Sequence, residues 1–278
     1  MNAVALGPLL ISLPRLYALL CALVLLAGAR YFSGLSPTAR KRWFSGVVIA
    51  WVVAARLGYV ALNADSYAAE PLAALKLWQP GYHGAIGLIG ALGYSAVALR
   101  ERLPALMRVV ALLLTAFGLW LGLTALSPLG KSAAPRTLPD ISLADLDGNP
   151  VELATLAAGG DTPVIVNLWA TWCPPCRREM PLLAEFDRRD DVRVVIVNQG
   201  EDLLPVVRYL DALEPDVQRP DSQGLSFDTA LRDPQQRLMA AFAAPGLPTT
   251  LLLDARGRVQ QGHAGELTRA ILNRWLIH

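Results

Sequence analysis

Hydrophobic positions fall into two regimes along the chain, near-continuous runs before residue 130 and short alternating or helical stretches after it. Four early segments, about 9–29, 45–63, 81–99 and 105–126, approach the roughly 20 apolar residues that cross a bilayer as a helix. In the second regime the run Pro163 to Ala170 suits a buried central strand, and Met180, Leu182, Leu183 and Phe186 recur at helical spacing behind it. Strands are also predicted at 192–197, 249–253 and 258–261, with helices at about 203–213, 234–242 and 267–276. The alternation of Ile141, Leu143 and Leu146, a turn at Asp147-Gly148, then Val151 and Leu153 predict a β-hairpin ahead of this core. A turn at Asp254 to Gly257 makes one sheet edge antiparallel. The expected architecture is an α/β domain over 140–278, preceded by an all-α domain of four transmembrane helices over 1–126. A spacer at 127–139, with Pro128, Gly130, Pro135 and Pro139, joins them.

Composition sharpens the membrane expectation. Hydrophobic residues make up 54 % of the 278 positions and charged residues only 17 %, and the net charge of +2 points to neither nucleic acid nor a strongly acidic substrate. The first segment lacks the basic start of a signal peptide and is read as uncleaved. Arg30, Arg40, Lys41 and Arg42 follow the first span, and Arg100, Arg102 and Arg108 surround the junction of the third and fourth. The intervening loop from Ala64 to Pro80 carries only Lys76. Basic loops stay in the cytoplasm, so four spans put both the N-terminus and the region after Leu126 on the outer side of a bacterial inner membrane. Disulfide chemistry persists there.

The chemistry sits at Trp172-Cys173-Pro174-Pro175-Cys176, where the central strand turns into a helix. Two cysteines three positions apart in a first helical turn lie on one side, within the Cα separation of about 4.4–6.8 Å that a disulfide tolerates. Pro174 pushes Cys173 into the extended region that a capping residue needs, and Pro175 starts the helix without wasting a donor. Unpaired N–H groups and the helix dipole then favour thiolate at Cys173, the nucleophile, while Cys176 is the resolving thiol. The bland alternatives are half a zinc site or a structural bridge. Zinc wants about four ligands, and the remaining candidates, Cys21, His83, His263 and His278, include no second paired motif. A four-residue loop constrains little chain entropy. The expected centre is a redox-active disulfide with no metal and no bound cofactor.

From about Thr137 onward the chain resembles the membrane-anchored thioredoxin-like disulfide reductases of the TlpA, ResA and cytochrome c maturation group. The matching residues are Asn167-Leu168-Trp169-Ala170-Thr171-Trp172-Cys173-Pro174-Pro175-Cys176, then Glu179, Pro181 and Gly246-Leu247-Pro248-Thr249-Thr250. The resemblance implies a thioredoxin fold and a cis Pro248 packed against the disulfide. It also implies a substrate-binding rim of Trp172, Leu247, Pro248 and Thr249, with a backbone edge free to pair with an extended segment. Pro181 would kink the active-site helix. Thioredoxin's buried aspartate corresponds to Asn167, so the proton carrier must lie elsewhere. Glu179 is the candidate, against the alternative of an ordinary solvated helix carboxylate. Implied partners are protein disulfide substrates.

Residues 5–126 resemble the early transmembrane part of bacterial prolipoprotein diacylglyceryl transferases. The shared pieces are Ala55-Arg56-Leu57-Gly58-Tyr59-Val60, Pro71, Trp78 and His83-Gly84-Ala85-Ile86-Gly87. That family's later arginine- and glutamate-bearing motif has no counterpart here. Arg56 and His83 are lipid-contact candidates within the phospholipid bilayer, the alternative being an Arg56 that snorkels to the interface. Electron relay across a bilayer by thiol exchange needs a cysteine pair within the spans, and this chain has only Cys21 there. A separate membrane electron donor is therefore expected. Two competing readings remain open at this point, a lipid-modifying protein with an accessory thioredoxin domain and a non-redox assembly chaperone.

Overall fold

A computed structural model describes residues 3–6, 9–68, 70–126, 138–158, 162–213 and 225–276. The expected spacer at 127–139 lies outside the described residues as far as position 137. The chain divides into two compact units, Leu13–Ser127 and the combination of Met1–Ser12 with Pro128–His278.

The chain opens with a short antiparallel pair, β1 (Ala3–Leu6) and β2 (Leu9–Ser12). Helical structure then begins at Leu13 rather than near residue 9: α1 (Leu13–Phe32), α2 (Pro37–Leu62) and a short α3 (Ala64–Ala68) are followed by a 3-10 turn at Pro71–Leu75. Two further helices complete the unit, α4 (Gly84–Ala98) and α5 (Leu103–Leu126). Three of these, α1, α2 and α5, are long and apolar enough to cross a membrane. The expected third span, 81–99, is corrected to a 15-residue helix. His83 caps it from outside the helix and Leu99 ends it, so at about 1.5 Å per residue it falls short of a 30 Å hydrocarbon core.

Helix α4 runs antiparallel along α2 through small residues. A Cβ on Gly90 would meet Ala54 and the Ala50 carbonyl, one on Gly58 would meet Ile86, and one on Gly46 would meet Tyr94. Such close backbone approach is how apolar helices associate where water exclusion gives no drive. Trp43 is buried and donates from Nε1 to Ser95 Oγ at 3.0 Å, which itself donates to Ala91 O at 2.8 Å.

The second unit is a seven-stranded sheet in the order β4-β3-β7-β6-β5-β8-β9. Its elements are β3 (Ser142–Ala144), β4 (Pro150–Glu152), α6 (Leu153–Ala158), β5 (Val164–Trp169), α7 (Pro174–Asp187), β6 (Arg193–Gln199) and α8 (Leu203–Leu213), then β7 (Thr229–Asp233), α9 (Arg237–Ala241), β8 (Thr249–Leu253), β9 (Val259–Ala264) and α10 (Arg269–Leu276). Strands β5, β6 and β7 are parallel; β8 and β9 complete one edge antiparallel, and β3 and β4 form the expected hairpin at the other. This is a thioredoxin-like α/β arrangement.

Every residue of β5 is buried, which is what a strand with neighbours on both edges and layers on both faces requires. Period-two alternation sends Val164, Val166 and Leu168 to the face carrying Leu238 and Phe242. Ile165 and Trp169 face α7 with Met180 and Phe186. Asn167 shares their parity and faces α7 too.

Strand β7 and helix α6 were not legible in the hydrophobic pattern. In β7 the buried positions are Leu231 and Asp233, and the latter earns burial by accepting from Leu238 N at 2.8 Å. The expected helix at 234–242 shortens to five residues because Gln236, its cap, holds a left-handed φ of 54°.

Candidate active site

Cys173 caps α7 with extended backbone (φ −91°, ψ 103°), and its Sγ accepts from Cys176 N at 3.3 Å. Pro174 and Pro175 follow it in the first turn. Cys173 and Cys176 form a disulfide across a Cα separation of 5.3 Å. The sulfurs lie under the rim, Cys173 at 3 % exposure and Cys176 at 0 %, while Trp172 beside them is 65 % exposed. Cys173 is thus nearly as buried as Cys176. Its first-turn amide geometry is nonetheless the one that stabilises a thiolate.

Leu247–Pro248 is a cis peptide. The Pro248 carbonyl accepts from Gly265 N at 2.9 Å, Thr249 donates from Oγ1 to Gly246 O at 2.7 Å, and Leu247 is partly buried against the core on both faces of the sheet. Pro181 lies inside α7, which continues to Asp187.

Glu179 is buried, so the solvated-carboxylate alternative is overturned. It lies one turn beyond Cys176 on α7. Its Oε1 accepts from Asn167 Nδ2 at 2.7 Å and its Oε2 from Leu267 N at 2.7 Å. Burial pushes the carboxyl up to about 8, against the opposing pull of those two hydrogen bonds; Glu266 adds to the rise and Arg178 offsets it. A group with that midpoint holds and yields a proton near neutral pH.

A clamp that sequence reasoning missed fixes the approach to the cysteines. The Glu201 carboxylate accepts from Thr171 N at 2.7 Å, Thr171 Oγ1 at 2.5 Å and Asn198 Nδ2 at 2.6 Å. It ties the end of β6 to the residue before Trp172. The only sequence signal was an acid four residues beyond a predicted strand, indistinguishable from a surface carboxylate.

In the helical unit Arg56 is buried, not snorkelling. All five guanidinium N–H groups are taken by main-chain carbonyls. Nε donates to Ala74 O at 3.0 Å, Nη1 to Pro80 O at 3.4 Å and Gly81 O at 3.0 Å, and Nη2 to Ala73 O at 2.7 Å and Lys76 O at 3.3 Å. The rings of Tyr67 and Tyr82 lie 5.7 and 5.6 Å from its charge. His83 donates its backbone N–H to Ala55 O at 2.9 Å and accepts from Ile86 N through Nδ1 at 3.4 Å. Cys21, in α1, is a buried free thiol.

A strand-to-helix CxxC disulfide, a cis proline and a buried glutamate on a thioredoxin-like sheet define a dithiol redox protein. Residues 133–274 match the family model for Redoxin, and the chain belongs to that family. It is 31 % identical over 180 residues to the thiol-disulfide oxidoreductase ResA of Geobacillus kaustophilus, covering 64 % of this chain and 95 % of that one. ResA of Bacillus subtilis is 29 % identical over 141 residues, 50 % of this chain and 71 % of that one. A putative thiol:disulfide interchange protein DsbE from Chlorobium tepidum is a similar solved structure, 25 % identical with a TM-score of 0.42, covering 51 % of this chain and 93 % of its own. By family and by its cysteine pair the chain is a thiol–disulfide oxidoreductase. None of these matches extends the diacylglyceryl transferase resemblance of the helical unit.

Proposed function

We propose that the chain is a membrane-tethered reductase of protein disulfides, with its redox unit on the outer side of a bacterial cytoplasmic membrane. The observation that carries this is the Cys173 sulfur at the start of α7, facing Cys176 N, one turn from a buried carboxyl that titrates near neutrality.

In the reduced protein, Cys173 thiolate attacks one sulfur of a substrate disulfide. The substrate S–S bond breaks, its first sulfur leaves as a thiolate and takes a proton from solvent, and Cys173 is joined to the second. Cys176 then gives its thiol proton to ionised Glu179 and attacks the Cys173 sulfur. That closes the Cys173–Cys176 disulfide and releases the second substrate thiolate, which is protonated in turn. Two electrons pass from the dithiol to the substrate, and a separate membrane dithiol donor must return them, because Cys21 is a lone thiol among the spans.

Orientation follows from the basic residues. Arg30 ends α1 and Arg40, Lys41 and Arg42 begin α2, while Arg100, Arg102 and Arg108 lie around the start of α5. A helix shorter than the hydrocarbon core crosses where the bilayer thins around it, and with α4 crossing in that way beside α2 both clusters face the cytoplasm and the redox unit faces out. The reducing direction is supported by Pro174 and Pro175, which remove two N–H donors beside Cys173, since fewer donors mean less thiolate stabilisation and a lower potential.

The test is trapping in cells. Cys176→Ala leaves the mixed disulfide unresolved, so substrate proteins should be captured on Cys173, released by dithiothreitol and absent in Cys173→Ala. No captured protein, or capture that does not depend on Cys173, contradicts the proposal. Equilibration with glutathione buffers checks direction, and a potential above about −150 mV counts against a reductase.

A further inference from the structure

The buried carboxyl has a neighbour whose chemistry is unusual for its place. Asn167 sits on the central strand, fully buried, and its Nδ2 donates both to Glu179 Oε1 at 2.7 Å and to Thr250 Oγ1 at 2.9 Å. Asn167 and Thr250 are directly opposed in the β5–β8 register, so the three side chains join α7, β5 and β8. The Asn167 Oδ1 accepts no hydrogen bond among the described residues.

We propose that Asn167 is a positioning residue whose amide turns over as Glu179 gains or loses its proton, presenting Nδ2 to the carboxylate and Oδ1 to the acid.

Donor and acceptor chemistry dictates the two orientations. Ionised Glu179 only accepts, and the observed arrangement serves it with Leu267 N–H on Oε2 and Asn167 N–H on Oε1. When the carboxyl is protonated, a proton on Oε2 would face the fixed Leu267 N–H, a donor with no acceptor to offer. A proton on Oε1 faces Asn167, whose amide carries an acceptor atom. There the acid O–H would meet the amide N–H, donor against donor, unless the amide rotates by half a turn and offers Oδ1. Thr250 makes the rotation tolerable, because a hydroxyl that accepts from Nδ2 in one orientation donates to Oδ1 in the other.

The same heavy-atom frame therefore serves the Glu179 carboxyl in both protonation states with no backbone movement, while the turned-over Nδ2 takes the place where Oδ1 finds no partner among the described residues, which weights the frame towards the ionised state. An aspartate at position 167 could not do this. Two carboxyls in hydrogen-bond contact share one proton and titrate as a pair. The other charged or titratable groups around Glu179 are Arg178 and Cys176 on α7 and Glu266 in the segment before α10. Arg178 and Glu266 are held to each other at 2.6 Å. The purpose of the switch rests on the exchange reaction proposed above; its detection does not.

The test uses the full chain, oxidised, in detergent micelles with nitrogen-15 asparagine, following the side-chain amide of Asn167 between pH 6 and 10. Asn167→Leu identifies the signal by deleting it. The amide should pass between two signal positions with one midpoint, that of Glu179. In Glu179→Gln, whose amide presents N–H to Asn167 at every pH, the low-pH signal should persist throughout. An amide indifferent to pH, or one that still switches in Glu179→Gln, overturns the proposal. A kinetic arm uses the pH dependence of Cys176 attack on a Cys173 mixed disulfide. Asn167→Leu removes a charge-assisted bond from the carboxylate and a weaker neutral one from the acid, so it should raise the midpoint by about one unit, and Asn167→Asp should replace the single step with two. An unchanged midpoint in both variants also overturns it. If the amide switches while no exchange occurs, the positioning role stands and the reductase reading fails.

Discussion

Two buried charged side chains, Arg56 in the helical unit and Glu179 in the redox unit, solve the same problem in opposite ways. Arg56 gives all five N–H groups to carbonyls of the 73–81 segment, and its charge lies 5.7 and 5.6 Å from the rings of Tyr67 and Tyr82. Its charge is fully occupied, and its task is to hold a loop. Glu179 receives two hydrogen bonds, fewer than a buried carboxylate can accept, and burial keeps it near the point of neutralisation. A completely satisfied buried ion is a pin; an incompletely satisfied one can change state, and the sulfur chemistry lies one turn from the group that can.

That contrast can be broken at several strengths. Cys173→Ser should abolish disulfide exchange outright, measured by insulin reduction, while leaving the fold intact by circular dichroism. Arg56→Met leaves the loop carbonyls without donors and should cost roughly 3–5 kcal/mol, read as lost resistance of the helical unit to denaturing detergent. Arg56→Lys should fall between, having three donors where five are used. Glu179→Gln should slow resolution of a Cys173 mixed disulfide roughly a hundredfold at pH 8, by stopped-flow, with no fold change.

Glu179 also sets a sign. Its midpoint is raised on folding from 4.5 to about 8, so the folded state binds more protons between those values. Stability is full below about pH 4.5 and falls as pH rises towards 8, by up to about 1.4 kcal/mol per unit; Glu179→Gln removes that slope, as pulse proteolysis should show. The smallest effect belongs to Arg178, half exposed in its pair with Glu266, where Arg178→Ala should cost about 1 kcal/mol or less in the same assay.

The redox unit was largely legible because its signals are local. Branched residues from 164 to 169, two prolines after Cys173 and the Asp147-Gly148 turn each specify geometry within a few positions. The burial of Glu179 was not legible, since Asn167 and Leu267, which receive it, lie 12 and 88 residues away. Strand β7 escaped because Asp233 is buried through a hydrogen bond rather than through hydrophobicity. Helix α4 looked like a full span because Tyr82 and Leu99 extend an apolar run that His83 and Leu99 terminate as caps. Composition registers apolar length, while capping decides where the helix stops.

The most direct test of the central claim is the pH dependence of alkylation of the reduced protein, with each modified cysteine mapped. The account predicts that Cys173 is carboxymethylated first, with a midpoint clearly below the ordinary thiol value of about 8.5, while Cys176 stays protected. An ordinary midpoint at Cys173, or preferential labelling of Cys176, would contradict it.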